Sequence, residues 1–345
     1  MYREVFIRDM SQLGIRVSNE LKNSPVLSSL NSVIESAYRD NPYFTPEMQR
    51  VALNSIANKM LKGRFLTEWL QKYDLHIHDK DLLVGIIMAG NIPAVGFHDL
   101  LAGLAAGFKC DVKLSKKDKY IIPYLVKILI EINPFWKEKI HFKESLSLEI
   151  DALLASGSDN TMKIIGESFT GIPSLLRGTR SSIGIISGYE TLNDIDSLCD
   201  DIFLYYGMGC RSVTKLFVPQ GYDLSMFLKS SQRYAGLTNN HDYSSLYRYH
   251  KATLSMSGEE FTDGGFFLIS TNCTFPPPLS VISLEYYKAY SQIENFIELN
   301  KDKIQIVESL EGHDFLRPGE SQVPGPADYA DGSDTVKFLL SVAQK

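Results

Sequence analysis

Apolar residues recur at helical spacing through the first eighty residues of the chain. Leu27, Leu30, Val33, Ile34, Ala37 and Tyr38 share one helical face. After Asn41-Pro42-Tyr43-Phe44, Thr45 is placed to cap a helix with Pro46 at its first position, and Met48, Val51, Ala52 and Ile56 form its stripe. Gly63, behind a lysine, suits the end of that helix. From residue 82 the pattern changes to short continuous apolar runs divided by amphipathic stretches. "LLVGIIMAG", "CDVKLS", "DALLASGS" and "SSIGIISG" read as strands covered on both faces. "HDLLAGLAAG", "KDKYIIPYLVKILIEI", "DNTMKIIGESF" and "DIDSLCDDIFLYYG" read as the helices between and after them, with Pro123 in a first turn. Such alternation predicts a parallel sheet built of right-handed crossovers, an α/β fold.

Further on, "SVTKLFVP", "GGFFLIST" and "LSVISLEYY" read as strands and "SSLYRYHKATL" as a helix. The tail "FLRPGESQVPGPADYADGSDTVKFLLSV" reads as a long Gly/Pro-rich loop ending in a strand. The 345 residues suffice for two domains with real cores, and 44% hydrophobic with 22% charged residues is ordinary globular composition. A net charge of −6 argues against nucleic acid or an anionic membrane surface as a general partner. The beginning of the chain lacks the apolar core of a signal peptide, and no apolar run is long enough for membrane insertion. A cytoplasmic location is therefore expected, with reduced thiols.

The four cysteines, Cys110, Cys199, Cys210 and Cys273, include no C-x-x-C pair, and no His/Cys cluster has zinc spacing. His76 and His78 in "DLHIHDKD" read as a polar strand face, so no metal is expected. Cys210 differs from the other three in its setting, "YYGMGCRSVTKLFVP", between flexible glycines and a strand. Buried cysteine is commonly a small apolar residue. Beside Arg211, however, Cys210 would favour the thiolate, and Gly207 and Gly209 would let a substrate approach.

Three segments in order resemble the aldehyde dehydrogenase superfamily: "MAGNIPAVGFHDLLAGLAAGFKCDVKLSKKDK", "ALLASGSDNTMKIIG" and "YYGMGCRSVTKLFVP". "GNIPAVGFHDLL", "VKLSKKDK", "FLYYGMGCRSVTKLFVPQGYD" and "DYADGSDTVKFL" are similar to its acyl-CoA reductase branch, the reductase of bacterial luminescence fatty-acid reduction. The resemblance covers roughly residues 80 to 345. It implies an aldehyde dehydrogenase-like fold with a parallel-sheet cofactor domain, an α/β catalytic domain and a helical N-terminal segment. The expected division is 1–190 for the N-terminal helices and dinucleotide-binding domain, 191–320 for the catalytic domain and 321–345 for a C-terminal loop and strand.

The resemblance further implies an oxidoreductase that reduces a long-chain fatty acyl-CoA to the aldehyde with NADPH, through an acyl-cysteine on Cys210. Asn91 would hold the oxyanion, although an asparagine before Ile92-Pro93 also suits a plain turn. Lys113 stands where relatives meet the adenosine ribose, followed by Ser115. Lys116 stands where NAD-preferring relatives carry an acid, and so favours a 2′-phosphate. Gly157 and Ser158, with Asp159 as a cap, would open a helix toward the pyrophosphate.

The glutamate that activates water in hydrolytic relatives is missing from "SLLRGTRSSIGIISG". Arg177 and Arg180 there suit either CoA phosphates or structural salt bridges. The usual glutamate before Phe-Gly-Pro is also missing, and "TNCTFPPPLSV" offers Asn272 and Cys273 instead. His98 and Asp99 could cap a helix toward the cofactor, and either His241 or His250 could move a proton. The expected partners are an acyl-CoA or acyl-carrier thioester, a second copy in a homo-oligomer, and an acyl-activating enzyme. Two alternatives remain: an aldehyde-oxidising dehydrogenase, or an inactive subunit that binds acyl groups or nucleotide.

Overall fold

The structure, a computed structural model, describes residues 2–23, 28–75, 82–312 and 315–344. The chain forms two compact units, Met1–Thr179 with Pro324–Lys345, and Arg180–Val323. His76 and His78 lie outside the described residues.

The first unit begins with helices α1 (Tyr2–Asn23), α2 (Ser29–Asp40), α3 (Pro46–Ser55) and α4 (Gly63–Leu70). Thr45 caps α3 as expected, its hydroxyl accepting the Met48 N–H at 3.3 Å. Gly63 does not end that helix. The chain passes through a wider helical turn at Ile56–Met60, and Gly63 opens α4 where a Cβ would stand 3.0 Å from Ser11 Oγ. Phe6, Leu13, Leu66 and Trp69 bury the inner faces of these helices.

There follow β1 (Leu83–Ile87), α5 (Phe97–Ala105), β2 (Lys109–Lys113), α6 (Ile121–Ile132), β3 (Ile140–Phe142), β4 (Ala152–Ser156), α7 (Asp159–Ser168) and β5 (Ser174–Arg177). The sheet is wholly parallel in the order β3-β2-β1-β4-β5. Its central strands are buried on both faces, which is why they read as unbroken apolar runs. β3 and β5 are three and four residues long, too short to show a pattern.

The second unit contains β6 (Ser181–Ile185), α8 (Leu192–Phe203), β7 (Val213–Pro219), α9 (Ser225–Ser231), α10 (His241–Ser257), β8 (Phe261–Asp263), β9 (Leu268–Ser270), β10 (Val281–Tyr287), α11 (Tyr290–Leu299) and β11 (Ile304–Ser309). Its sheet runs β11-β6-β7-β10-β9-β8, parallel except for β8 against β9. The division therefore falls at Thr179 and Arg180 rather than at 190, because β6 pairs with β7 and β11 and not with the first sheet.

Beyond Val323 the chain returns to the first unit. The expected C-terminal strand is a helix, α12 (Thr335–Ala343). Asp334 caps it, accepting the Lys337 N–H at 2.9 Å, and Val336 and Leu339, three apart on one face, are fully buried. Among the described residues no helix is long and apolar enough to cross a membrane.

Candidate active site

The first sheet reverses direction at β1. From there the chain moves to β2 and β3 on one side, then to β4 and β5 on the other. In open parallel sheets such a switch point, at the carboxyl ends of the strands, is where ligands bind. Ile87 is in register with Lys113 on β2 and Ala155 on β4. The Asn91 turn, the Lys113–Lys116 segment and Gly157-Ser158 therefore leave the same edge from neighbouring strands. These six predicted residues are brought together.

The Asn91 turn is tightly built. A Cβ on Gly90 would stand 2.3 Å from Ser115 Oγ, so the turn lies directly against the loop after β2. Ser115 Oγ accepts the Lys117 N–H at 3.2 Å. Ala94 has a left-handed φ of 57°, and its N–H donates to Asp118 Oδ2 at 2.7 Å. Asp118 is buried, which pushes its carboxyl up to about 7 against the pull of the Ala94 N–H. Asn91, Lys113 and Lys116 are exposed, as is Lys119, which pairs with Asp40 at 2.7 Å. Nothing in the sequence marked Asp118, which lies 24 residues from the backbone it holds.

At the end of β4, Ser158 caps α7, accepting the Thr161 N–H at 3.3 Å. Asp159 is not the cap. Its Oδ1 accepts the Thr179 N–H at 2.7 Å, where Gly178 leaves room for it. His98 and Asp99 do not cap α5 either. His98 Nε2 donates to the Pro326 carbonyl at 3.0 Å, and Asp99 accepts both bonds of Arg177 Nη1 at 2.8 and 3.0 Å. Arg177 Nη2 also donates to Thr335 Oγ1 at 2.8 Å, and the guanidinium is buried. Arg180 Nη1 donates to the Ile304 carbonyl at 3.2 Å. Arg177 thus makes the expected structural salt bridge, with Asp99, whereas Arg180 bonds backbone carbonyls.

In the second unit, α8 leads to Cys210 through three successive left-handed residues, Tyr205, Tyr206 and Gly207, with φ of 56°, 60° and 72°. Two tyrosines in this conformation are costly, and burial of both rings offsets the strain. Gly207 suits this left-handed backbone, where a Cβ would stand 3.1 Å from the Ile202 carbonyl oxygen. The turn closes with the Ser212 N–H on the Gly209 carbonyl at 3.0 Å, and Ser182 Oγ holds the Cys210 carbonyl at 3.0 Å. Arg211 Nη1 donates to the Ser321 carbonyl at 3.3 Å.

None of the four cysteines forms a disulfide. Cys110 and Cys199 are fully buried; burial pushes the Cys199 thiol up to about 12 and Cys110 higher still, so both are inert structural thiols. Cys210 is half-buried at the mouth of its turn. Cys273 is also half-buried, its Sγ donating to the Ser270 carbonyl at 3.7 Å, with the Asn272 N–H on Ser270 Oγ at 3.1 Å. His241 lies exposed in the first turn of α10, and partial burial lowers His250 on the same helix. Among the described residues no group of three or more His, Cys, Asp or Glu could hold a metal.

Residues 46–227 match the family model described as Acyl-CoA reductase (LuxC). A curated relative, long-chain acyl-protein thioester reductase from Aliivibrio fischeri, is 25% identical over 290 residues, 74% of this chain and 59% of the relative. The chain thus spans less than two thirds of that relative's length. Three solved structures share the fold at 11–13% identity. Acetylating aldehyde dehydrogenase from Geobacillus thermoglucosidasius has a TM-score of 0.60 (89% of this chain, 76% of that one). A betaine aldehyde dehydrogenase double mutant from Staphylococcus aureus, in complex with NAD+, has 0.63 (90% and 72%). A mutant of aldehyde dehydrogenase C from Pseudomonas syringae, with NAD+ and octanal, has 0.61 (91% and 73%). With an aldehyde dehydrogenase-like fold and more than half its length inside the family match, the chain belongs to the LuxC acyl-CoA reductase family.

Proposed function

We propose that the protein reduces a long-chain acyl thioester, carried by CoA or an acyl-carrier thiol, to the aldehyde with NADPH. The observation that carries this reading is the presentation of Cys210 on a strained, half-buried turn, while Cys110 and Cys199 are sealed in the core. The Cys210 thiolate attacks the thioester carbonyl. The Asn91 side-chain amide and the Cys210 backbone N–H are the donors proposed for the tetrahedral oxyanion. Loss of the carrier thiolate leaves an acyl-cysteine.

The carboxyl edge of the first sheet fits a nicotinamide dinucleotide. The α7 N-terminus, with Gly157 and Ser158, suits the pyrophosphate; Lys113 and Ser115 suit the ribose; and the exposed Lys116 suits a 2′-phosphate. Asp159, the acid at that helix start, is engaged with the Thr179 N–H. NADPH bound there supplies the hydride that reduces the acyl-cysteine. Collapse of the resulting thiohemiacetal regenerates the Cys210 thiolate and frees the aldehyde.

The aldehyde-oxidising alternative needs a base to activate water. The segment where hydrolytic relatives carry it offers Arg177, which is buried on Asp99 and Thr335. Intact-mass spectrometry after incubation with a long-chain acyl-CoA tests the proposal, with wild type beside Cys210→Ala, and with and without NADPH. The expected result is one acyl adduct that requires Cys210 and disappears as NADPH is oxidised. An acid product would favour oxidation. No adduct across several chain lengths and carriers would leave a binding subunit.

A further inference from the structure

Two acids of the second unit are buried near one another, one of them on the helix that leads to the nucleophile turn. Asp201, on the last turns of α8, is 0% exposed, and Glu308, near the end of β11, is 1% exposed. Their carboxyls are close enough to act on each other and on the Ser321 hydroxyl, whose oxygen is likewise buried without a partner. Two carboxylates can only accept. Asp201 Oδ1 and both Glu308 oxygens would then be buried without a donor. A single proton pairs one oxygen of each acid, because the protonated acid donates to the ionised one, and the nearby Ser321 hydroxyl is a donor for the remaining Glu308 oxygen.

Asp201 also anchors the segment 319–322, which bonds to residues on both sides of Cys210. The Gly319 N–H donates to Asp201 Oδ2. Gln322 Nε2 bridges the Asp201 carbonyl, at 3.2 Å, and Ser212 Oγ, at 3.4 Å. Arg211 donates to the Ser321 carbonyl at 3.3 Å. The segment 319–322 is thus fastened to α8 ahead of the nucleophile and to Arg211-Ser212 behind it.

We propose that Asp201 and Glu308 share one proton and, through Gly319, Ser321 and Gln322, act as positioning residues for the Cys210 turn. The kinetic consequence rests on Cys210 being the nucleophile; the shared proton does not. Burial is the main effect that raises both acids. The Asp201 charge, with a smaller contribution from Glu320, carries Glu308 to about 10. The folded state therefore keeps a proton that the unfolded chain loses. Stability from this pair is full below the ordinary glutamate range and declines as pH rises toward about 10.

The test compares wild type, Glu308→Gln, Glu308→Ala and Asp201→Asn from pH 6 to 9.5. It follows the thermal midpoint, the rate of Cys210 acylation by a long-chain acyl-CoA, and the rate of Cys210 alkylation by iodoacetamide. Glutamine supplies a neutral donor to Asp201 at every pH. Its midpoint should fall less with pH than wild type, and its acylation rate at pH 7 should stay within about two-fold of wild type. Alanine removes the partner and should slow acylation about ten-fold or more, through misplacement of the turn. Equal midpoint slopes for wild type, Glu308→Gln and Asp201→Asn would overturn the shared proton. A folded Glu308→Ala protein that is acylated and alkylated at the wild-type rate would overturn the positioning role. If alanine prevents folding, the glutamine and asparagine slopes and the alkylation profile still decide. Absence of any adduct on wild type would instead count against the proposed function, and leaves the midpoint arm intact.

Discussion

Asp118 holds the Asn91 turn by one 2.7 Å bond to the Ala94 N–H, and its Oδ1 is buried without a donor. With the carboxyl raised to about 7, stability from this group is full below pH ~4 and is lost as pH rises to about 7. We expect Asp118→Asn, which still accepts the Ala94 N–H, to flatten the midpoint-against-pH curve across that window. The difference between its ends should be on the order of 1–4 kcal/mol. Identical slopes for the two proteins would show that Asp118 is ionised throughout. Cys210→Ala should lower thioester reduction more than about 10³-fold with little change in the unfolding midpoint, whereas Cys273→Ala should leave both nearly unchanged. Cys210 could be picked out in the sequence because its glycine-flanked setting differs from those of the other three. Asp118, Asp201 and Glu308 could not: Asp118 holds a backbone 24 residues away and Asp201 one 118 residues away, Glu308 meets Asp201 from another element, and an isolated acid reads as solvated surface. The left-handed Tyr205 and Tyr206 were equally hidden, since bulky residues ordinarily exclude that conformation.

At the scale of elements, β1, α5, β2, α6, β4 and α7 were legible because buried parallel strands and amphipathic helices carry different periods. What a strand pairs with is not written in its own pattern, which is why β6 was read as part of the first sheet. The C-terminal misreading has another cause. Val336, Phe338, Leu340 and Val342 alternate as a strand would, while Val336 and Leu339 satisfy a helix, and the Asp334 cap decides. The ordered edge of β1, β2 and β4 leads to a test of cofactor choice. Lys116→Glu should raise the KM for NADPH about ten-fold or more, the loss of one charge-assisted contact of ~1.5–3 kcal/mol, and change the KM for NADH much less. Equal effects on both cofactors would place the 2′-phosphate away from Lys116.

For the whole molecule, the consequential feature is that the first unit is made from two separated stretches of chain, Met1–Thr179 and Pro324–Lys345. The returning stretch is built into that unit. Tyr329 accepts from Trp69 Nε1 at 2.6 Å, Tyr73 donates to Asp334 at 2.8 Å, and Thr335 receives the buried Arg177. Val336 and Leu339, both 0% exposed, join the core beside α5. Removing residues 324–345 would return two aliphatic side-chain sites to water at about 1.5–3 kcal/mol each. It would also strip buried polar partners at about 1–3 kcal/mol each. That total is comparable to the ~5–15 kcal/mol that keeps a domain folded. Every residue of the second unit's sheet lies within Arg180–Val323 and keeps its strand partners. Truncation should therefore abolish nucleotide binding and the unfolding transition of the first unit, while hydrogen exchange still finds β6, β7 and β10 protected. Full protection of β1 and β4 in the truncated chain would mean that the first unit folds without its C-terminal stretch.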